Sequence, residues 1–300
     1  MMRILLTGSN GLLGQKVIYA LRNKKGVELI ATSKGENRTA AKDGYTYIPM
    51  DITNHDEVSA VIIRHQPDCI IHTAAMTNVD ACEMHREECY RMNVEAVKNL
   101  VSLCKQQQIH LVHLSTDFVF DGTAGPYREE DKPNPLSYYA WSKLESEKIV
   151  LQSGIEAAIL RTIIIYGVVD DKQRSNVIVW TVNSLREKKT MNVISDQFRS
   201  PTLAEDLADA CMQAALKKAT GIYHVSGAET FSILEIVNRT ADFFGLDKQY
   251  IHPVTTAELN QPAKRPLVTG FVIDKAIRDL DFHPHSLQQG LEIVKQQLEK

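Results

Sequence analysis

Tyr139 and Lys143 stand four residues apart in Tyr139-Ala140-Trp141-Ser142-Lys143, so a helix here sets both side chains on one face. A free phenol titrates near about 10, and a neighbouring ammonium favours its phenolate, so Lys143 is expected to lower Tyr139 toward useful proton exchange. Such a phenol can hand a proton to a carbonyl oxygen, and the hydroxyl of Thr116, further up the chain, can hold that oxygen in place. The pair alone is weak: ten tyrosines and twenty lysines give about two-thirds of one such spacing by chance. Context supplies the rest.

That context is a glycine turn, Gly8-Ser9-Asn10-Gly11-Leu12-Leu13-Gly14, placed directly after the apolar run Arg3-Ile4-Leu5-Leu6-Thr7 and before a helical stretch. Gly8 permits the tight turn, Gly11 lets backbone approach a pyrophosphate, Gly14 lets the helix pack close to the sheet, and the helix start offers open N–H groups. Gly8, Asn10, Gly11, Leu12, Leu13 and Gly14 are therefore candidate dinucleotide contacts, and with Thr116, Tyr139 and Lys143 as catalytic candidates the set describes hydride transfer. After the second strand an acid would select NAD by binding the ribose hydroxyls, but Thr32-Ser33-Lys34 offers hydroxyls and a cation. Ser33 and Lys34, with Arg38 as a second cation against Glu36, favour NADP, with NAD as the alternative. Asp51-Ile52 ends the next strand where an adenine can be held, and the small Ala74-Ala75 ends another where a cofactor can lie against backbone.

The elements that would position these residues alternate. Strands are expected at 3–7, 27–32, 45–49, 69–73 and 110–114, with helices at 12–21 and 56–65 and a long helical stretch ending near Gln107. Apolar strands separated by helices imply an α/β fold: a Rossmann-type doubly wound parallel sheet whose crevice lies beyond the strand C-termini. After Ile159-Leu160-Arg161-Thr162 the rhythm loosens into amphipathic helices such as 203–216 and 233–244. We therefore expect residues 1–162 to form the dinucleotide-binding domain and 163–300 mainly a smaller mixed α/β substrate lobe, with chain crossings between the two.

Composition narrows the partners. A net charge of −3 over 300 residues, with 44% hydrophobic and 24% charged residues, fits an ordinary globular chain and offers no basic field for nucleic acid. No apolar run approaches the ~20 residues of a membrane span and Met1-Met2-Arg3 leads into a strand, so a cytoplasmic protein without membrane contact is expected. Five cysteines without a Cys-x-x-Cys pair and ten scattered histidines predict reduced thiols and no metal site. The cluster of Glu83, Arg86, Glu87, Glu88 and Arg91 reads as a solvated helix face, with subunit contact in a homodimer as the alternative. Asn93 reads either as a support for Lys143 through water or as an internal structural amide.

The chain resembles the extended short-chain dehydrogenase/reductase superfamily, and within it the dTDP-4-dehydrorhamnose reductase family, over nearly its whole length. The resemblance rests on Thr7 to Gly14, Ser115-Thr116-Asp117-Phe118-Val119-Phe120-Asp121-Gly122, Tyr139 to Lys143 with Leu144-Glu145, Arg161-Thr162 before Tyr166-Gly167, Asp196-Gln197-Phe198 before Pro201-Thr202, and Arg265-Pro266. It implies reduction of the C4 ketone of a nucleotide-linked deoxysugar by NAD(P)H, with Thr116, Tyr139 and Lys143 in the family roles and Thr116 and Asp117 meeting substrate. Some members use a metal at a subunit interface, so the resemblance allows Mg2+ without placing ligands. Asp117-Phe118 lacks the second acid of a 4,6-dehydratase, which favours simple reduction; an epimerase can use the same triad. Ile164 stands where the family usually has Trp. Arg199 stands where it usually has Gly, and resembles the arginine that grips a substrate diphosphate in other extended members, against a structural ion pair such as one with Asp206. Ser146 replaces another Gly with little expected consequence. The Gln-x-Arg-x-Pro-Thr pattern also resembles the regulatory beta subunit of methionine adenosyltransferase, which binds NADP but acts through a partner protein.

Overall fold

The computed structural model describes residues 1–171 and 175–299. Seven strands form one parallel sheet: β1 (Met2–Thr7), β2 (Val27–Ser33), β3 (Thr46–Pro49), β4 (Cys69–His72), β5 (His110–Thr116), β6 (Ala157–Thr162) and β7 (Gly221–Val225), ordered β7-β6-β5-β4-β1-β2-β3. Their runs are apolar on both faces because both faces are covered. Ile4, Leu6, Leu29, Ala31, Cys69 and Ile71 join one core, while Leu5, Ile30 and Ile70 point to the other. The order reverses between β1 and β4, so the crevice opens beyond the C-terminal ends of those strands, where Gly8 and Thr73 follow.

Helices α1 (Leu12–Leu21) and α2 (His55–His65) lie where the periodicity places them, and Asn54 caps α2 by accepting from the N–H groups of Asp56 and Glu57. The single long helix expected to end near Gln107 is instead α3 (Val79–Met84), α4 (Arg86–Tyr90), a π-helical turn at Arg91–Glu95, and α5 (Ala96–Gln107). Within the wide turn Asn93 is buried, and it is an internal structural amide. Its Oδ1 accepts from Met76 N at 2.9 Å, while its Nδ2 donates to Met76 O and Ser142 Oγ, each at 3.0 Å.

α6 (Tyr138–Gln152) begins after Ser137, whose Oγ accepts from Ala140 N at 3.3 Å, which puts Tyr139 in the first turn. Beyond β6, α7 (Val177–Arg186) and α9 (Ile233–Phe244) pack beside a parallel pair of short strands, Met191–Ile194 and Ile251–Val254, around buried Ile178, Leu185, Met191, Ile236 and Val237. The helix at Ala204–Leu216, α8, does not join this lobe. Its Leu207, Ala208, Cys211 and Ala214 pack with Val17, Ile18 and Leu21 of α1 over the main sheet. No helix among the described residues is long and apolar enough to cross a membrane.

Candidate active site

The turn after β1 has no room for a side chain at Gly8 or Gly14. Gly8 has φ +72°, and a Cβ there would lie 2.7 Å from Ala74 N; one on Gly14 would lie 2.3 Å from Gly8 O. Gly11 begins α1 without a side-chain cap, so the first N–H groups of the helix stay open for an anion. Two adjoining cavities extend from this point. One, of about 180 Å³, is lined by Gly8, Ser33, Lys34, Asp51, Ile52 and Ala74; the other, of about 360 Å³, by Leu12, Leu13, Gly14, Thr116, Asp117, Tyr139 and Lys143. They share Gly11, Thr73 and Ala75, so one trough runs from the tip of β2 to α6 and suits a dinucleotide in shape. A larger cavity, of about 710 Å³, lies between α1 and α8 away from this chemistry, and Lys16 and Glu205 on its wall pair with each other at 2.9 Å.

Asn10 does not line the trough. It donates to Glu36 O at 2.8 Å and accepts from Arg38 N at 2.9 Å, fixing the 36–38 loop. Lys34 is exposed and pairs with Asp51 at 2.9 Å, which holds the Asp51 carboxyl down at about 2. Arg38 lies 3.8 Å from Asp171. Thr73, which no sequence pattern singled out, lines both cavities and donates to Thr7 O at 2.7 Å.

Thr116 closes β5, and Tyr139 and Lys143 face it from α6; all three are buried, Lys143 to 4% exposure. Burial pushes the Tyr139 phenol well above its usual value and the Asp117 carboxylate adds to this, while a hydrogen bond with Thr116 works the other way. Burial thus outweighs any lowering of Tyr139 by Lys143. The lysine is itself brought down to about 8 by burial, against Glu147 and Cys89, and its one hydrogen-bond partner among the described residues is His113 Nε2 at 3.5 Å. A neutral phenol is the form a reductase needs as proton donor.

Asp117 and Arg199 form a buried clasp. Asp117 accepts from Thr116 at Oδ1, 3.1 Å, and from Thr269 at Oδ2, and burial raises its carboxyl although Arg199 opposes this. The Arg199 guanidinium donates to Phe198 O at 2.7 Å, Leu267 O at 3.0 Å, Pro266 O at 2.6 Å and Gln197 Oε1 at 3.3 Å, and its Nε faces Asp117 at 3.7 Å. Its four terminal N–H groups thus donate to protein oxygens, and the fifth nitrogen, Nε, stands in ion-pair range of Asp117. Its ionic partner is Asp117; Asp206 instead accepts from His285 at 2.6 Å. Arg265 binds Asp80 at 2.7 Å, so the 265–269 segment is tied to the short strand Phe198–Arg199 by Arg199 and to α3 by Arg265. Thr269, 152 residues from Asp117, has no local sequence signal. Ile164 lines the second of the two trough cavities with φ +26°, a conformation that β-branched residues rarely adopt, so strained backbone sits beside Thr116, Tyr139 and Lys143. No three His, Cys, Asp or Glu among the described residues converge to hold a metal, so Mg2+ finds no ligand set here.

The family described as RmlD substrate binding domain matches residues 2–299. The bovine methionine adenosyltransferase 2 subunit beta is 34% identical over 269 residues, covering 88% of this chain and 78% of that protein. Among solved structures, a dTDP-4-dehydrorhamnose reductase from Clostridium acetobutylicum superposes with a TM-score of 0.86 at 29% identity, covering 100% of both chains. One from Bacillus anthracis, in complex with NADP, superposes with a TM-score of 0.84 at 28% identity, covering 99% of this chain and 100% of that one.

Proposed function

Because the chain belongs to the RmlD substrate binding domain family, we propose that it is an NADPH-preferring reductase of the C4 ketone of a dTDP-linked deoxysugar. The observation that carries this reading is the buried Thr116, Tyr139 and Lys143 set at the end of the trough, with Asp117-Phe118 in place of two acids. The reductases of the same architecture support it, one of them with NADP bound.

NADPH, when bound, supplies the hydride to C4. The fit is carried by the glycine turn, which closes tightly because Gly8 and Gly14 carry no Cβ, by the uncapped start of α1 at Gly11, and by Ser33 and Lys34 at the far end, suited to a 2′-phosphate. Gly11 and the open N–H groups at the start of α1 would accommodate the pyrophosphate, in a turn shaped by Gly8 and Gly14, with Asp51 and Ile52 at the adenine end and Leu12, Leu13, Ala74 and Ala75 as the walls. Thr116 orients the ketone oxygen and Tyr139 gives it a proton, completing the alcohol. The ammonium of Lys143 stabilises the phenolate left behind. Asp117 takes the Thr116 hydroxyl proton in this structure, so Thr116 turns away from Oδ1 to donate to the ketone oxygen.

A panel of nucleotide 4-keto sugars with NADPH and NADH, read by nicotinamide absorbance and product analysis, tests the reading. Net NADPH consumption and a reduced sugar are expected; an epimer without cofactor consumption would replace reduction by epimerisation. The 34% identity to methionine adenosyltransferase 2 subunit beta favours a second reading, a regulatory subunit. Stimulation of a methionine adenosyltransferase catalytic subunit with no ketone turnover would establish it in place of the first.

A further inference from the structure

Thr162, Ile164 and Ile165 line the cavity that holds Thr116, Tyr139 and Lys143, and all three are held by Thr202, which lines neither half of the trough. Thr202 opens a two-residue strand, Thr202–Leu203, that pairs in parallel with Ile165–Tyr166 just past β6. Its N–H donates to Ile164 O at 3.1 Å, the ladder bond of that register. Its hydroxyl donates to Ile163 O at 2.6 Å and accepts from Thr162 Oγ1 at 3.3 Å. Thr202 thus draws two successive carbonyls to itself. Along an extended strand such carbonyls face opposite sides, so they converge only if the chain rotates between them, and the torsions there are those of Ile164. The positive φ of Ile164 is that rotation.

The strain falls on Ile164 because the segment that carries Thr202 is fixed. Arg199 is bound by the clasp, Ser200 Oγ shares a hydrogen bond with Thr230 Oγ1 at 2.8 Å, and Pro201 O packs so closely that a Cβ on Gly227 would lie 2.3 Å from it. Strained torsions persist only where the surroundings over-determine them, and they gather at ligand sites. Thr162 is the β6 neighbour in register with Thr116, so the turn abuts the strand end that carries the substrate-orienting hydroxyl. We propose that Thr202 is a positioning residue that sets substrate selectivity: its hydroxyl, by holding Ile163 O, forces the turn at Ile164 and keeps Ile164 as an apolar wall beside Thr116, where the reacting end of the sugar enters. The wall acts on a sugar only if the protein is the reductase proposed above; the turn itself does not depend on that.

Thr202→Val keeps the shape and the ladder N–H but removes the hydroxyl, whereas Thr202→Ser keeps the hydroxyl. With NADPH and dTDP-4-dehydrorhamnose, Thr202→Val and Ile164→Ala should each raise KM about fivefold with kcat within about twofold, and Thr202→Ser should stay within about twofold of the wild type in both. In the Ile164→Ala background Thr202→Val should add nothing, because the wall it positions is gone, whereas general loosening would add to the Ile164→Ala effect. The turn is read separately, by NMR, from the backbone 13Cα and 13CO shifts of Ile164 in 13C-isoleucine-labelled protein, its signals assigned with Ile164→Ala. Positive-φ shifts are expected in the wild type and Thr202→Ser, moving toward extended values in Thr202→Val. Extended values in the wild type, a measurement that needs no variant to fold, overturn the proposal. So do an unchanged KM in folded Thr202→Val, an additive double variant, or a Thr202→Ser enzyme as impaired as Thr202→Val. If the wild type reduces no sugar while the shifts behave as expected, the reductase reading fails and the assignment of the turn to Thr202 stands.

Discussion

Replacing Arg199 by Met separates a clasp from a diphosphate grip. Two of the oxygens facing the guanidinium keep other donors: Leu267 O accepts from Phe198 N at 2.7 Å, and Phe198 O from Thr269 N at 3.0 Å. Pro266 O and Gln197 Oε1 have no second donor in the described contacts, and Asp117 loses its cation while keeping Thr116 and Thr269. Two buried acceptors at about 1–3 kcal/mol each, together with the weakened carboxylate, amount to about 3–6 kcal/mol. At roughly 2 °C per kcal/mol for a chain of this size, Tm should fall by about 6–12 °C in the absence of any ligand. Arg199 lines neither half of the trough, so NADPH affinity should stay within about threefold, under 1 kcal/mol. Thermal unfolding monitored by calorimetry, beside an NADPH fluorescence titration, reads both quantities. If Arg199 served a bound diphosphate alone, Tm without substrate would match the wild type within about 2 °C and only the KM for the sugar nucleotide would rise; that outcome would refute the clasp.

Two further perturbations follow from the same geometry. The Lys143 ammonium is depressed from 10.5 to about 8 by burial, so between those pH values the unfolded chain holds the extra proton and stability rises with pH, whereas below about 8 the charged amine costs roughly 3 kcal/mol. Lys143→Met should therefore be more stable than the wild type at pH 7, with the difference in Tm closing as pH approaches 10.5, while NADPH binding weakens. Lys34→Ala should weaken NADPH about tenfold and leave NADH unchanged, since one charge contact to a phosphate is worth about 1.4 kcal/mol; isothermal titration with both cofactors checks it.

Most of the sheet is legible because its strands up to Thr162 are short apolar runs punctuated by turn residues, whereas Gly221–Val225, its last strand, falls in the stretch expected mainly in the smaller lobe; Gly8, Gly14, Tyr139 and Lys143 stand at spacings that one turn and one helix convert directly into geometry. What escaped was non-local. The amphipathic pattern of 204–216 says that one face is buried but not against what, so α8 reads as part of the smaller lobe although α1 is its partner. The π-helical turn at Arg91–Glu95 adds a residue to a helical repeat without changing its hydrophobic pattern, so it leaves no periodic signal. Arg199 was singled out, but its acceptors at Pro266 and Leu267 lie 67 and 68 residues away and are backbone carbonyls, which no side-chain type announces. Proximity predicts that Lys143 tunes Tyr139, whereas burial, which no spacing announces, is the largest influence on both groups.

The central claim is that the Tyr139 phenol protonates a sugar ketone. Its most direct test is the initial rate of NADPH oxidation with dTDP-4-dehydrorhamnose for the wild type and for Tyr139→Phe. The variant should lose about 10²–10⁴-fold in kcat with NADPH affinity preserved, the range expected when a positioned general acid is removed. A Tyr139→Phe protein that turns over near the wild-type rate would contradict the account.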